Sequence, residues 1–356
     1  ASNLEPKEIC EVLKKNNINY YETGIEHGTI TAVIDRYKFE ITTLREDISS
    51  DGRHAKVKFS KNWKDDASRR DFTINSIYSD RDGNLFDPYD GKKDLENGKV
   101  NFIGDTEKRI KEDYLRILRY IRFYLNYSRQ PHNLKTIKSL KMNIDGVSKL
   151  SKERLLSELK KIVNTDILEK LSTDSLSLNL ILMIFPELKN ISVFSKLNII
   201  KKNLLKDKDF IFLLSLMIID ETDNSDYFIY KYNLSKKHQK RIKDIDNFYK
   251  EKINSKTFTK NNINKIFYFY GKEATLDILN YRVIKLKKID NSLLELIKYY
   301  ENNIVPTMPV SADLLMKKYE IPEGKQLGEK LRIIEKEWVK NNFKISDQEV
   351  DNIINN

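Results

Sequence analysis

Cysteine is nearly absent from this chain. Cys10 stands alone among 356 residues, so no internal disulfide can form. A reducing, cytoplasmic compartment is the expectation that follows. Long apolar runs are missing too. The stretches Leu176–Phe185 and Phe210–Ile219 fall well short of the roughly 20 residues that cross a bilayer, so no membrane partner is expected. Residues Ala1–Ile9 carry Glu5 and Glu8 and no apolar centre, which does not read as a secretory signal. No His-Asp doublet occurs, so nothing points to a phosphohydrolase metal site.

What is present is charge. Hydrophobic residues make up 40% and charged residues 33%, a balance that folds rather than stays disordered. Sixty-four Lys and Arg against 53 Asp and Glu leave a net charge of +11, which favours a polyanionic partner. The same excess also follows from a composition rich in Lys, Asn and Ile, in which many lysines are only solvated surface. A chain of 356 residues predicts two or more packed units.

The pattern changes near residue 100. Before it, Gly28–Ile34 and Tyr37–Leu44 read as a hairpin joined at Asp35-Arg36. Ser76–Ser79 and Asn84–Phe86 flank Arg81-Asp82-Gly83, a second hairpin signal. Helical patterns lie at Pro6–Lys15 and Ser68–Ile77. Beyond residue 100 nearly everything reads as helix. One helix is predicted from Asp105, its N-cap, to Tyr127, with Ile110, Tyr114, Ile117, Leu118, Ile121 and Leu125 as a buried stripe. Another starts near Ser151. Pro306 and Pro309 predict a separate terminal segment, and no internal repeat is evident.

Four groups of residues carry chemistry. Opposite the apolar stripe lie Arg109, Glu112, Asp113, Arg116 and Arg119, with Arg122 nearby. At i,i+3 on a helix, Asp113 and Arg116 would sit side by side and offer an acceptor and a donor fork to a nucleobase edge; the alternative is a solvated face of local ion pairs. Arg119 and Arg122 continue the row toward phosphates. In Arg69-Arg70-Asp71-Phe72-Thr73-Ile74-Asn75, paired arginines before a helical turn suit a triphosphate, and Asp71 and Asn75 face one ligand; a surface cluster with a capping Asp fits equally. Asp87-Pro88-Tyr89-Asp90-Gly91 is a turn, either a connector between the two parts or a plain loop. Glu40 alternates with apolar neighbours, as a metal-site carboxylate or an exposed strand Glu would.

The order of these motifs, from His27-Gly28-Thr29 through Arg69–Asn75, Asp87–Gly91 and Glu112-Asp113-Tyr114-Leu115-Arg116-Ile117-Leu118-Arg119 to Ser151-Lys152-Glu153-Arg154, resembles the bacterial class II tRNA nucleotidyltransferase and poly(A) polymerase family. The resemblance covers about residues 1–165 and returns at Pro322–Gly328 and Glu335–Trp338. It implies an α+β fold: a nucleotidyltransferase head of the polymerase beta type over residues 1–100, then an all-helical neck (101–165), body (166–300) and tail (301–356).

The resemblance further implies template-independent addition of CMP and AMP to RNA 3′ ends, at the CCA end of tRNA, with two Mg²⁺ ions in attack on the α-phosphate. Asp113 and Arg116 would read the base of CTP or ATP. Arg69, Arg70, Asp71, Asn75, Arg119 and Arg122 would bind the nucleotide, Glu40 would be the catalytic metal carboxylate, and the helical body and tail would hold the tRNA acceptor end. The family's Asp-x-Asp pair does not stand before Ala1, so the head is expected to be truncated, and the chain is expected to need that segment, for instance from a separate N-terminal polypeptide. Poly(A) addition by the same motifs is the alternative activity, and an inactive nucleotide- and RNA-binding remnant is the alternative class.

Overall fold

Proline in the first turn and a Glu5–Glu8 capping box start helix α1 (Pro6–Lys15), which turns Ile9 and Leu13 inward. In the computed structural model, which describes residues 1–50, 55–250 and 255–355, this helix covers a three-stranded antiparallel sheet. Its strands run in the order β1 (Asn19–Gly24), β2 (Thr29–Ile34) and β3 (Tyr37–Thr42). Ile9, Leu13, Ile30 and Ala32 close the core between helix and sheet. The β2–β3 hairpin turns at Asp35, with φ of 54°, where the sequence places it. A second ribbon pairs β4 (Arg45–Ser50) with β5 (Ala55–Phe59), and a third pairs β6 (Tyr78–Ser79) with β7 (Leu85–Phe86) across Gly83 at φ 86°.

Two helix predictions are corrected. Ser68–Ile77 is not one helix. A short helix α2 (Trp63–Ser68) ends there, and only a 3₁₀ turn, Thr73–Asn75, follows. Arg69 and Arg70 fold back to hydrogen-bond Asp66 of α2, and the extended Phe72 breaks the path. The helix expected over 105–127 is two helices. After α3 (Gly91–Glu96), α4 (Thr106–Glu112) starts on the Asp105 cap, and α5 (Leu115–Tyr127) follows it. Asp113 between them is extended, with φ −153° and ψ 106°.

Gly91 shows why this region tolerates no side chain at one point. An added Cβ would lie 2.1 Å from the Thr73 carbonyl oxygen, so α3 approaches the 3₁₀ turn backbone to backbone. Asp94 accepts from Thr73 Oγ1 at 2.7 Å and from Asn101 Nδ2 at 3.0 Å, fastening the same contact. Beyond it, α5 buries Ile117, Leu118, Tyr120 and Ile121, and α7 (Lys152–Ile162), which follows α6 (Leu134–Met142), buries Leu155, Leu159 and Ile162.

By packing the chain divides into residues 1–162 with 166–186, and 163–165 with 187–356. The described residues of the second unit are helical. Phe210–Ile218 is apolar nearly all round and buried from Ile211 onward. The long helix Lys260–Lys285 breaks at Gly271, whose φ of 86° is a left-handed conformation that glycine adopts without the strain a Cβ would bring. Residues after Pro306 form their own cluster around Leu315, Leu327, Ile334 and Val350. No helix among the described residues is long and apolar enough to cross a membrane.

Candidate nucleotide site

Asp66 is the hidden anchor of the site. Its side chain is 1% exposed and accepts from Arg69 Nη2 at 2.6 Å, Arg70 Nη2 at 2.9 Å and the Tyr78 hydroxyl at 2.6 Å. Burial alone would raise this carboxyl; the Tyr78 hydrogen bond and the two guanidinium charges outweigh it and hold it below the usual range. Burial and the bond to Asp66 push Tyr78 up to about 12. Arg70 therefore stands fixed, and its buried Nε keeps no hydrogen-bond partner.

Asp71 is bound to α5. Arg119 Nε donates to its Oδ2 at 2.5 Å, while Asn75 Nδ2 at 2.9 Å and the Phe72 amide at 3.0 Å donate to Oδ1. Burial pushes this carboxyl up, but the Arg119 hydrogen bond and charge prevail and lower it. Arg119 is raised in turn: burial opposes its charge, and Asp71 overcomes that, with Glu158 and Asp113 adding attraction. Asp71, Asn75 and Arg119 thus come together, though Asn75 turns first to Asp71.

Arg109 joins this layer to α4. Its Nη2 donates to the carbonyls of Arg69 and Arg70, and its Nη1 to Glu112 at 2.5 Å. Glu112 also accepts from Arg116 Nη1 at 2.6 Å, and that nitrogen donates to the Arg109 carbonyl at 2.7 Å. Asp113 takes a different partner. Its Oδ2 accepts from Arg154 Nη2 at 2.8 Å, and its Oδ1 from the Leu115 amide at 3.1 Å. The i,i+3 side-chain pair expected on one helix is therefore not formed, because the extended Asp113 leaves the helical path. Arg122 faces Glu158 of α7 at 2.5 Å. Glu40 stands exposed on edge strand β3, opposite Thr31, and its carboxylate makes no ion pair among the described residues.

Asp66, Tyr78 and Glu158 went unnoticed in the sequence. Only the Asp66–Arg69/Arg70 spacing of i,i+3 and i,i+4 could have signalled the first. Among the described residues no three His, Cys, Asp or Glu side chains gather to hold a metal ion. Glu40 by itself does not make a metal centre.

Positioned guanidinium groups suit phosphates. The Poly A polymerase head domain family matches residues 1–101. The class is therefore a nucleotidyltransferase with a head of that type. The mitochondrial CCA tRNA nucleotidyltransferase 1 of Mus musculus is 33% identical over 98% of this chain and 80% of its own length. The CCA-adding enzyme of Streptococcus uberis is 28% identical over 94% of this chain and 82% of its own. The crystal structure of the Bacillus stearothermophilus CCA-adding enzyme in complex with CTP matches the fold with a TM-score of 0.69 at 20% identity, covering 96% of this chain and 83% of that one. The chain belongs to the CCA tRNA nucleotidyltransferase family.

Proposed function

We propose that this protein adds CMP and AMP to the 3′ end of tRNA without a nucleic-acid template, taking CTP and ATP as substrates. The observation that carries this reading is the arrangement of Asp113 and Arg116. Arg154 and the Leu115 amide hold Asp113, and Glu112 with the Arg109 carbonyl holds Arg116 by Nη1 alone. Nε and Nη2 of Arg116 remain as donors, and Asp113 remains an acceptor. Cytosine and adenine both present an amino group to an acceptor, whereas uracil and guanine present a carbonyl at the matching place. Held apart by separate partners, the Asp113 acceptor and the Arg116 donors would together accept CTP and ATP and refuse the other two.

Arg70 and Arg69, both held by Asp66, would receive the triphosphate. Asp71, Asn75 and Arg119 would line the sugar and phosphate side, and Arg122 would extend the row. Magnesium is the proposed metal and Glu40 one carboxylate toward it; the described residues supply no further ligand beside Glu40. The head, neck, body and tail over 1–100, 101–165, 166–300 and 301–356 are the proposed division of labour, with the tRNA acceptor end on the helical parts and the cytoplasm as compartment.

The test supplies the full-length protein with a tRNA transcript shortened at its 3′ end and each nucleotide in turn. CMP and AMP enter and UMP and GMP do not. A long A tract without cytidine would replace this reading by poly(A) addition.

A further inference from the structure

Four lysines of the second unit line one cavity of about 580 Å³: Lys196, Lys201, Lys285 and Lys287, with Ser192 beside them. The cavity lies where the 3₁₀ segment Ile191–Lys196 and the helix Ile199–Leu205 meet the end of the helix Lys260–Lys285. An ordinary solvated face intersperses such groups with carboxylates. Here no carboxylate lines the wall. Glu221 and, less strongly, Asp220 lie close enough to attract Lys285, and Asp220 is already paired with Lys189 at 2.8 Å. Lys196, Lys201 and Lys287 form no ion pair among the described residues.

Lys201 is the unusual member. It is 6% exposed, and its Nζ donates to the carbonyls of Ile284 at 2.8 Å and Leu286 at 2.5 Å. Those carbonyls belong to the end of the long helix, where a cation is favoured. An ammonium has three N–H bonds, so one remains uncommitted. Burial lowers the Lys201 pKa because no anion accompanies the charge. Lys196 and Lys287 are exposed, and Lys285 lies with its Nζ 5.7 Å from the centre of the Tyr281 ring.

We propose that this cavity binds a phosphate group, held by the ammonium groups of Lys196, Lys285 and Lys287, the remaining N–H of Lys201 and the Ser192 hydroxyl. Four point charges and no bidentate guanidinium fork suit a rounded, multiply charged anion better than a planar carboxylate. The phosphate comes either from an RNA backbone or from a free ion such as pyrophosphate. The inference stands independently of the nucleotide site, which lies wholly among residues of the first unit.

Isothermal titration of the full chain with inorganic phosphate, pyrophosphate and tRNA tests it. The comparison is with Lys196→Ala/Lys287→Ala, which removes two exposed side chains and leaves the buried Lys201 in place. For a free ion, phosphate or pyrophosphate affinity falls at least about tenfold in the variant. For a backbone phosphate, tRNA affinity falls and the slope of log K against log salt lessens by about 1 to 2. The control is Lys240→Ala/Lys243→Ala, which removes the same charge elsewhere in the unit. An equal loss in that control, or no loss toward any of the three ligands, overturns the proposal.

Discussion

Replacing Arg119 with Met leaves Asp71 buried without its main partner. The Asp71 side chain is 7% exposed and that of Arg119 28%. Breaking a buried pair from one side costs about 3–5 kcal/mol. Asp71 keeps two donors, Asn75 Nδ2 and the Phe72 amide, and Arg119 is partly in water. Those two facts bring the loss below that range, to about 2–3 kcal/mol at neutral pH. Peptide-resolved hydrogen exchange over residues 115–127 reads it as a roughly 30- to 150-fold faster exchange wherever opening tracks unfolding of the unit. The pH dependence has a definite sign. In the intact protein the folded Asp71 carboxyl lies below its unfolded value of about 3.9, so its contribution is complete above that value and is lost as pH falls through the folded one. In the variant only burial and two hydrogen bonds remain, and burial raises the carboxyl. The variant therefore gains relative stability as pH falls from 7 toward 4, and the gap between the two proteins narrows. Equal protection at pH 7, or a gap that widens in acid, refutes the assignment of Asp71–Arg119 as the link between the 3₁₀ turn and α5.

Gly91→Ala forces a Cβ to within 2.1 Å of a backbone oxygen, a contact that no rotamer relieves, so a loss of about 3 kcal/mol, the upper part of the overpacking range, is expected in thermal or urea unfolding. Asp113→Ala or Arg116→Ala should relax nucleotide choice by about 1–3 kcal/mol, or roughly 5- to 150-fold, in incorporation assays with all four nucleotides; full rate and full selectivity in both would reduce these residues to a polar surface. Arg154→Met should raise UMP and GMP misincorporation with little change in CTP affinity, since Arg154 acts through Asp113. Binding of tRNA should weaken steeply with salt, by roughly 0.9 in log–log slope for each duplex phosphate contacted, and binding flat between low and physiological salt would contradict a phosphate-led contact.

The hairpins were legible because their signals are local. Asp35 and Gly83 sit where positive φ is needed, and the alternation around them has a period of two. The buried stripe of α5 was legible for the same kind of reason. The break at Asp113 was not. Every residue from Thr106 to Tyr127 tolerates a helix, and the apolar spacing runs on across the gap. What stops the helix is a partner 41 residues away: Arg154 of α7 takes the Asp113 carboxylate. Nor could sequence spacing show that Arg122 turns to Glu158 while Arg119, three residues before it, turns to Asp71.

The order of motifs along the chain was enough to place it among the tRNA nucleotidyltransferases, because residue types at local spacing are a one-dimensional property. Glu40 shows where that stops. As a residue in a strand it qualifies as a metal ligand, yet a ligand set depends on which carboxylates converge, and among the described residues none converges on it. The guanidinium groups show the opposite case. Arginines scattered from residue 69 to residue 154 are drawn together because Asp66, Asp71, Glu112 and Asp113 each claim particular nitrogens. Charge and motif order are written in the chain; which donors stay free for a ligand is decided by long-range pairing, because each hydrogen bond made within the fold removes one from the site.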